Sequence, residues 1–478
     1  MVGRFFRDSA LYGVATVLAK GLTVLLVPVY TAYMSRGEIG LLDLLLGAMA
    51  VLTLLVGLDM SNGLAREYAD TRDAELRCRY SSTCLWFTAV VFGMAAMVGW
   101  LGAEPLARRF LGGVPGVGAV RAAAVSMAVG GVYVVAVQQL RWMLRPGRFG
   151  LVSVATTALS LLVTVLLTGR YGMGAAGVLY GMAAGSALGI GFTLLAAGGE
   201  FGFRFDWGCL RRMLRFCVPI VPSSLAVIVN QYISRYVIEW EMGREAVGLF
   251  GVGSRLAGLA GLVMLGFGSA LTPLVYARQD DPETPGHLAR IFRIFVSLAV
   301  VGTAGLSLFA PEVVRVLTRA DYGPVVPLLV WLSPAFLLIQ MYIFAPGAWI
   351  RRRMWWVAGT NVLIAVVALL LNWLLVPRFG LTGAAAATLL AALLHFVLSM
   401  LVSQAMYPVP HEWGRVAAVV LAGLVVTVAG AWLPGEISPA LVLAKAVLLG
   451  ALALVLLWSG EMEREWFRSR VLGRLRRA

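Results

Sequence analysis

The chain has 478 residues, of which 60% are hydrophobic and 13% charged, with a mean hydropathy of +0.86; an ordinary soluble domain carries about 25% charged residues. That composition excludes a large soluble catalytic domain and places the chain in a membrane. The net charge of +15 would suggest nucleic acid in a soluble protein, but in a polytopic membrane protein it reads as basic cytoplasmic loops, so no nucleic-acid partner is expected.

The first apolar stretch, 9–34, follows Arg4 and Arg7 and contains Lys20 and Pro28. It is too long for a signal peptide and lacks a small-residue cleavage site, so it is expected to be a retained membrane helix. Further apolar spans follow near 38–60, 80–103, 115–140, 149–169, 172–197, 214–240, 246–276, 289–310, 324–350, 354–376, 379–404, 414–433 and 438–459. Each run is continuous rather than alternating, which excludes a β-barrel. Backbone polar groups in hydrocarbon must be satisfied within the segment. The expected fold is therefore all-α, a polytopic membrane protein of about fourteen transmembrane helices. With the N-terminus inside, roughly 26 arginines fall on inward loops and tails against 8 on outward loops, which predicts both termini in the cytoplasm.

Sliding the chain along itself by 208 positions shows an internal repeat. Arg36, Gly40 and Leu41 fall on Arg244, Gly248 and Leu249; Glu104 falls on Glu312, Arg145 on Arg353, and Arg170-Tyr171-Gly172 on Arg378-Phe379-Gly380. An even number of spans precedes the second copy, so the copies are parallel and related by a pseudo-two-fold axis along the membrane normal. Two six-helix bundles, 1–205 and 206–412, are expected to face each other across a central cavity. Two additional helices follow in 413–460, and 461–478 reads as a basic amphipathic cytoplasmic tail on the inner leaflet.

Charged groups within spans are costly and mark candidate sites. Lys20, Arg121, Arg235 and Arg255 belong to both copies and suit an anionic head group in a shared lumen, because arginine grips phosphate oxygens in a bidentate manner. The bland reading has Arg121 and Arg235 reaching to the interface, with Arg235 pairing with Glu239 one turn on. Lys445, in the last span, is expected to reach the interface or bind an acidic lipid. Asp43, Asp59 and His395 are candidates for ion coupling; capping explains the aspartates as well, and an interhelical hydrogen bond the histidine. Gln138, Gln139, Asn230, Gln231 and Tyr232 are candidates for sugar hydroxyls, or for bonds between helices. Gly177, Gly181, Gly185 and Gly189 recur every four residues and predict a close helix contact. Pro28, Pro219, Pro222 and Pro273 are expected to bend helices. Cys78, Cys84, Cys209 and Cys217 show no metal or redox spacing and are expected to be reduced and structural. There is no phosphate-binding loop and no His-Glu-x-x-His, so the sequence supports neither ATP hydrolysis nor zinc chemistry. No cofactor and no enzymatic activity are expected.

Ser9-Ala10-Leu11-Tyr12-Gly13, Pro28, the run Gly37 to Asp43, Gly57-Leu58-Asp59 and Arg66-Glu67-Tyr68, echoed at Glu245 to Leu249, together resemble the polysaccharide flippases that export O-antigen and capsule repeat units. These are in the multidrug/oligosaccharidyl-lipid/polysaccharide exporter superfamily. The resemblance implies ion-driven alternating access in the bacterial inner membrane, through a cationic cavity, powered by a proton or sodium gradient. The implied cargo is an undecaprenyl-diphosphate-linked oligosaccharide, and the implied partners are membrane lipids, a polysaccharide polymerase and glycosyltransferases. One departure stands out: Ser234 precedes Arg235 where many relatives have an aspartate. The alternatives are a lipid II-type flippase and a small-molecule antiporter on the same fold. A polymerase or ligase would need a larger outward loop, and a non-transporting scaffold leaves the buried cations unexplained.

Overall fold

In the computed structural model, residues 13–14, 17–18, 21–110, 115–277, 280–431 and 438–458 are described. Among them no strand occurs, and eleven helices are long and apolar enough to cross a membrane. The all-α membrane architecture is as expected, but these helices do not match the expected fourteen one to one. The first expected span is described only in part, as the apolar helix Gly21–Tyr33. The eleventh and twelfth form one 53-residue helix, Met354–Met406, whose backbone turns over at Gly380 (φ 58°, ψ −135°). At about 1.5 Å per residue a straight helix of that length would far exceed the ~30 Å hydrocarbon core, so the turn at Gly380 divides it. The basic tail 461–478 and Lys20 lie outside the described residues.

The chain packs as two compact units, Met1–Val252 with Leu265–Ala270 and Ala358–Ala384, and Gly253–Met264 with Leu271–Val357 and Ala385–Ala478. In the first, α1 (Leu26–Tyr33) leads into α2 (Arg36–Gly57), which opens on a capping box: the Ser35 hydroxyl accepts from the Glu38 N–H at 3.2 Å, and the Glu38 carboxylate accepts from the Ser35 N–H at 2.9 Å. Satisfying these two donors fixes where the helix starts. After Gly57, Leu58 and Asp59 both take left-handed conformations (φ 49° and 55°) and separate α2 from α3 (Met60–Asp70). Next come α4 (Ala74–Leu101), the short amphipathic α5 (Ala103–Phe110), α6 (Pro115–Trp142), α7 (Pro146–Val165) and α8 (Gly174–Ala197). The glycine stripe on α8 performs as expected. A methyl at Gly181 would strike Thr164, one at Gly185 would strike Ser160, and one at Gly189 would strike Thr156 and Tyr133. After α8, α9 (Trp207–Cys217) runs through a 3-10 turn containing Pro219 into α10 (Val221–Met242), with Pro222 in its first turn, and α11 (Arg244–Ala277) follows. Here the prolines mark a joint between two helices.

Several positions 208 residues apart share backbone features. Left-handed Leu144 (φ 54°) and Arg352 (φ 56°) end helices in the two copies. Arg145 N–H donates to the Leu140 carbonyl at 3.0 Å, and Arg353 N–H to the Ala348 carbonyl at 2.8 Å, the six-to-one bond of a Schellman ending. Gly172 (φ 63°) and Gly380 (φ 58°) match likewise. Within the first unit, a methyl at Gly40 would collide with the Arg244 carbonyl and one at Gly248 with the Arg36 carbonyl. Exchanging the copies maps this contact onto itself, as a local two-fold axis requires.

The second unit contains α12 (Thr284–Leu308), the short α13 (Ala310–Leu317), α14 (Val326–Gln340) and α15 (Gly347–Ile350). It also holds most of the second half of α16 (Met354–Met406) and the appended α17 (Trp413–Ala431) and α18 (Pro439–Trp458). The appended helices seat on α12 through small residues: Gly423 meets Val300, Gly430 meets Leu308, and Gly305 meets Leu449. Lys445 differs from expectation. Its ammonium donates to Glu312 at 2.6 Å and its side chain is 4% exposed, so it is held inside the protein against an acid instead of reaching to an interface. A buried ammonium needs a counter-charge, and α13 supplies one.

Candidate functional site

The most developed charged site in the first unit lies where α2 meets α10. These helices run antiparallel, and Gly47 brings them close: a methyl there would lie 2.9 Å from the Tyr232 ring and 3.0 Å from the Tyr236 hydroxyl. Tyr236 donates to the Leu44 carbonyl at 3.0 Å, which fixes the register. Arg235 and Asp43 are thereby set opposite each other, Arg235 Nε donating to Asp43 Oδ2 at 3.1 Å, with side chains 13% and 3% exposed. Arg235 Nη1 also donates to the Gln231 carbonyl at 3.0 Å, and its guanidinium sits 5.1 Å from the Tyr232 ring centre and 5.8 Å from that of Phe250. A carboxylate, a carbonyl and two ring faces thus position the cation, an arrangement that offsets part of its desolvation.

A second polar node lies 11 residues earlier on α10, at Ser224, about 17 Å away at helical rise. There Asp59 Oδ2 accepts from Asn62 Nδ2 at 2.9 Å and from the Ser224 hydroxyl at 3.2 Å, while Cys217 Sγ donates to the Asp59 carbonyl at 3.4 Å. Asn361 Nδ2 donates to the neighbouring Ser223 hydroxyl at 3.2 Å. Both nodes use α10, so its polar residues form one seam between Ser223 and Arg235.

The other candidates are dispersed. Arg121 is 3.9 Å from Glu104 and 5.3 Å from the Trp100 ring centre, 38% exposed at the start of α6. Its pair with Glu104 is a surface contact, apart from the Asp43–Arg235 centre. Arg235 does not pair with Glu239, whose carboxylate lies 3.5 Å from Arg244. Arg255, in the helix Arg244–Ala277, is half-buried in the second unit, as is His395 in α16. Gln138 accepts from Arg141 at 3.3 Å, whereas Gln139 is fully buried with neither amide atom hydrogen-bonded among the described residues. Asn230 and Tyr232 are half-buried and Gln231 is exposed. Cys84, Cys209 and Cys217 are buried, Cys78 is half-buried, and all four are free thiols. Ser223, Ser224, Asn62 and Asn361 escaped the sequence reading, since small polar residues in spans carry no charge to draw notice. Outside the spans, burial and the nearby Glu200 carboxylate push the Tyr68 hydroxyl up to about 12. It therefore stays protonated and donates to Glu200 at 3.3 Å.

Residues 34–327 match the model of a family described as polysaccharide biosynthesis protein. The chain belongs to this family. Among solved structures, it is similar to the lipid II flippase MurJ in an inward closed conformation, at 12% identity and a TM-score of 0.75, over 96% of this chain and 100% of that one. It is also similar to an outward-facing multidrug resistance MATE transporter of the MOP superfamily, at 15% identity and a TM-score of 0.64, over 87% of this chain and 96% of that one. A third is a MOP superfamily transporter from Pyrococcus furiosus, at 17% identity and a TM-score of 0.61, over 84% and 98%. At such identities these likenesses establish a shared fold. No curated protein matches the chain. The family match bears out the resemblance read from the N-terminal motifs.

Proposed function

We propose that this polysaccharide biosynthesis protein moves an undecaprenyl-diphosphate-linked oligosaccharide from the inner to the outer leaflet of the bacterial cytoplasmic membrane, by alternating access coupled to a proton or sodium gradient. The family match over residues 34–327 carries this reading. A polysaccharide pathway needs a lipid-linked intermediate moved across hydrocarbon, and a chain almost wholly of apolar helices is suited to that step rather than to sugar chemistry in water. A diphosphate and a sugar chain cannot cross ~30 Å of hydrocarbon without a polar path.

Arg235 is the residue on which we place the first contact with the diphosphate. Its guanidinium has five N–H groups, of which Nε serves Asp43 and one on Nη1 serves Gln231. The rest of the fork is chemically suited to phosphate oxygens, which compete with Asp43 for the same cation. Tyr232, Gln231 and Asn230 flank it on α10 and suit sugar hydroxyls. Asp43 and Asp59 are the carboxylates we assign to ion coupling, since release of Asp43 from Arg235 exposes a carboxylate able to take up a cation. Lys20 and Arg255 remain secondary candidates for the cationic path, Gln138 and Gln139 for sugar contacts, and His395 for coupling, whereas the surface pair of Arg121 with Glu104 leaves Arg121 outside the path. The positive-inside pattern favours cytoplasmic termini. The polymerase and glycosyltransferases of the same pathway are the protein partners this role implies.

A lipid II-type cargo is the second reading, favoured by the MurJ likeness across 96% of the chain. Both readings share a polyprenyl-diphosphate anchor. The test is flipping of fluorescent undecaprenyl-diphosphate oligosaccharide and of fluorescent lipid II, in proteoliposomes with and without a proton or sodium gradient. The proposal expects gradient-dependent flipping of the oligosaccharide lipid. Preference for lipid II would move the assignment to the second reading, and expulsion of a small organic cation with neither lipid moved would overturn both.

A further inference from the structure

Helix α9 carries an unused basic face. Asp206 caps it by accepting the Cys209 N–H at 3.0 Å, and that bond holds its carboxyl below the usual carboxylate range. At 100° per residue the helix divides cleanly. Cys209, Leu210, Met213 and Cys217 are buried in a cluster with Met60, Leu64, Tyr80 and Cys84. On the opposite side Trp207, Arg211 and Arg215 recur every four residues, all exposed. A groove of about 800 Å³ follows this side, lined by these three with Arg212, Val218 and Pro219.

The arginines of this groove differ in their partners. Arg212 lies 5.5 Å from the Tyr80 ring centre, whereas neither Arg211 nor Arg215 has a carboxylate partner among the described residues. The neighbouring acids are otherwise engaged, Glu75 with Arg79 and Arg204, and Asp206 with the helix cap. Trp207 lines the same groove, and further bare aromatic rings lie on the segment that leads into it. Phe203 is 94% and Trp207 76% exposed; Phe203 lies 5.4 Å from Trp86, and Phe205 lies 5.2 Å from Trp207. Large rings left bare beside unneutralised arginines are unfavourable in water, but both are satisfied at a bilayer surface, where rings settle at headgroup depth and arginines meet phosphate.

We infer that this groove holds the headgroup of an acidic phospholipid, with Arg211 and Arg215 on its phosphate and Trp207 and Phe203 at the boundary with the acyl chains. Charge complementarity selects an acidic lipid over a zwitterionic one, whose ammonium would face the same arginines. The inference is independent of the transported cargo.

The test uses the full-length protein in neutral detergent, titrated with phosphatidylglycerol or phosphatidylcholine and followed by native mass spectrometry and thermal unfolding. Wild type should retain phosphatidylglycerol and be stabilised by it, with no such response to phosphatidylcholine. R211Q/R215Q should lose roughly 30-fold in apparent affinity for phosphatidylglycerol, while R108Q/R109Q, an exposed pair on α5, should behave as wild type. Trp207→Ala tests the aromatic half separately and should weaken retention without removing charge. Unchanged retention in both R211Q/R215Q and Trp207→Ala overturns the inference. So does a groove that, in competition, keeps undecaprenyl diphosphate and releases phosphatidylglycerol.

Discussion

The two copies of the repeat keep the same acidic residue and give it different partners. In the first, Glu104 is 60% exposed and stands 3.9 Å from Arg121 of its own copy. In the second, Glu312 is 16% exposed and bonds at 2.6 Å to Lys445 of the appended α18. The position matching Arg121 is Leu329, fully buried, so the second copy has no cation of its own there. A similar divergence occurs at Leu58-Asp59, where left-handed residues end α2, while the matching helix Arg244–Ala277 runs on for 34 residues. Of these two acids 208 residues apart, Glu312 secures the added α18 while Glu104 stays in a surface pair.

The largest expected effect follows from that contrast. Lys445→Ala leaves the Glu312 carboxylate buried without its counter-charge and should cost about 3–5 kcal/mol. Arg121→Ala, breaking an exposed pair, should cost about 0–1 kcal/mol. Thermal unfolding in detergent compares them, and equal losses would break the distinction. At the self-symmetric contact the copies should instead agree. Gly40→Ala and Gly248→Ala each press a methyl into a carbonyl and should each cost about 1–3 kcal/mol, while Gly37→Ala, whose nearest neighbour is 4.0 Å away, should be mild. Unequal losses at Gly40 and Gly248 would argue against the local two-fold.

The matched glycines come next. Gly380→Ala forces a side chain into φ 58°, ψ −135° and should cost about 1–3 kcal/mol. Gly172→Ala also places a side chain at a positive φ (63°), but it meets no neighbouring atom where a methyl at Gly380 would lie 3.2 Å from Met242, and should cost somewhat less. A pH-dependent effect concerns His411, 208 residues on from the exposed Phe203. His411 packs 4.7 Å from Phe292 and 5.1 Å from Trp413, and burial pushes it down to about 4 from 6.5. Between those values the unfolded chain binds the proton and the folded one does not, so stability falls as pH drops from about 6.5 towards about 4. His411→Phe should flatten that slope in a pH series of unfolding temperatures.

The helices and the α8 glycine stripe were legible because each is written in local spacing. Gly172 and Gly380 were also legible, as matched junction residues. Pairings across the fold were not. Asp43 and Arg235 are 192 residues apart, and nothing local distinguishes that pairing from Arg235 with Glu239. Lys445 looked like an interfacial lysine because its partner, Glu312, is 133 residues distant. Short α5 and α13 read as loops, since eight residues with charges at both ends give no membrane-length signal. The left-handed turn at Leu58-Asp59 had no glycine to announce it.

In the proposed cycle a fixed arginine in the α2–α10 seam, Arg235, carries an anionic lipid-linked cargo. The most direct measurement is flipping of undecaprenyl-diphosphate oligosaccharide in proteoliposomes containing folded wild type, Arg235→Gln or Arg121→Gln. The account predicts background transport for Arg235→Gln and near wild-type transport for Arg121→Gln. Wild-type transport by Arg235→Gln would contradict it.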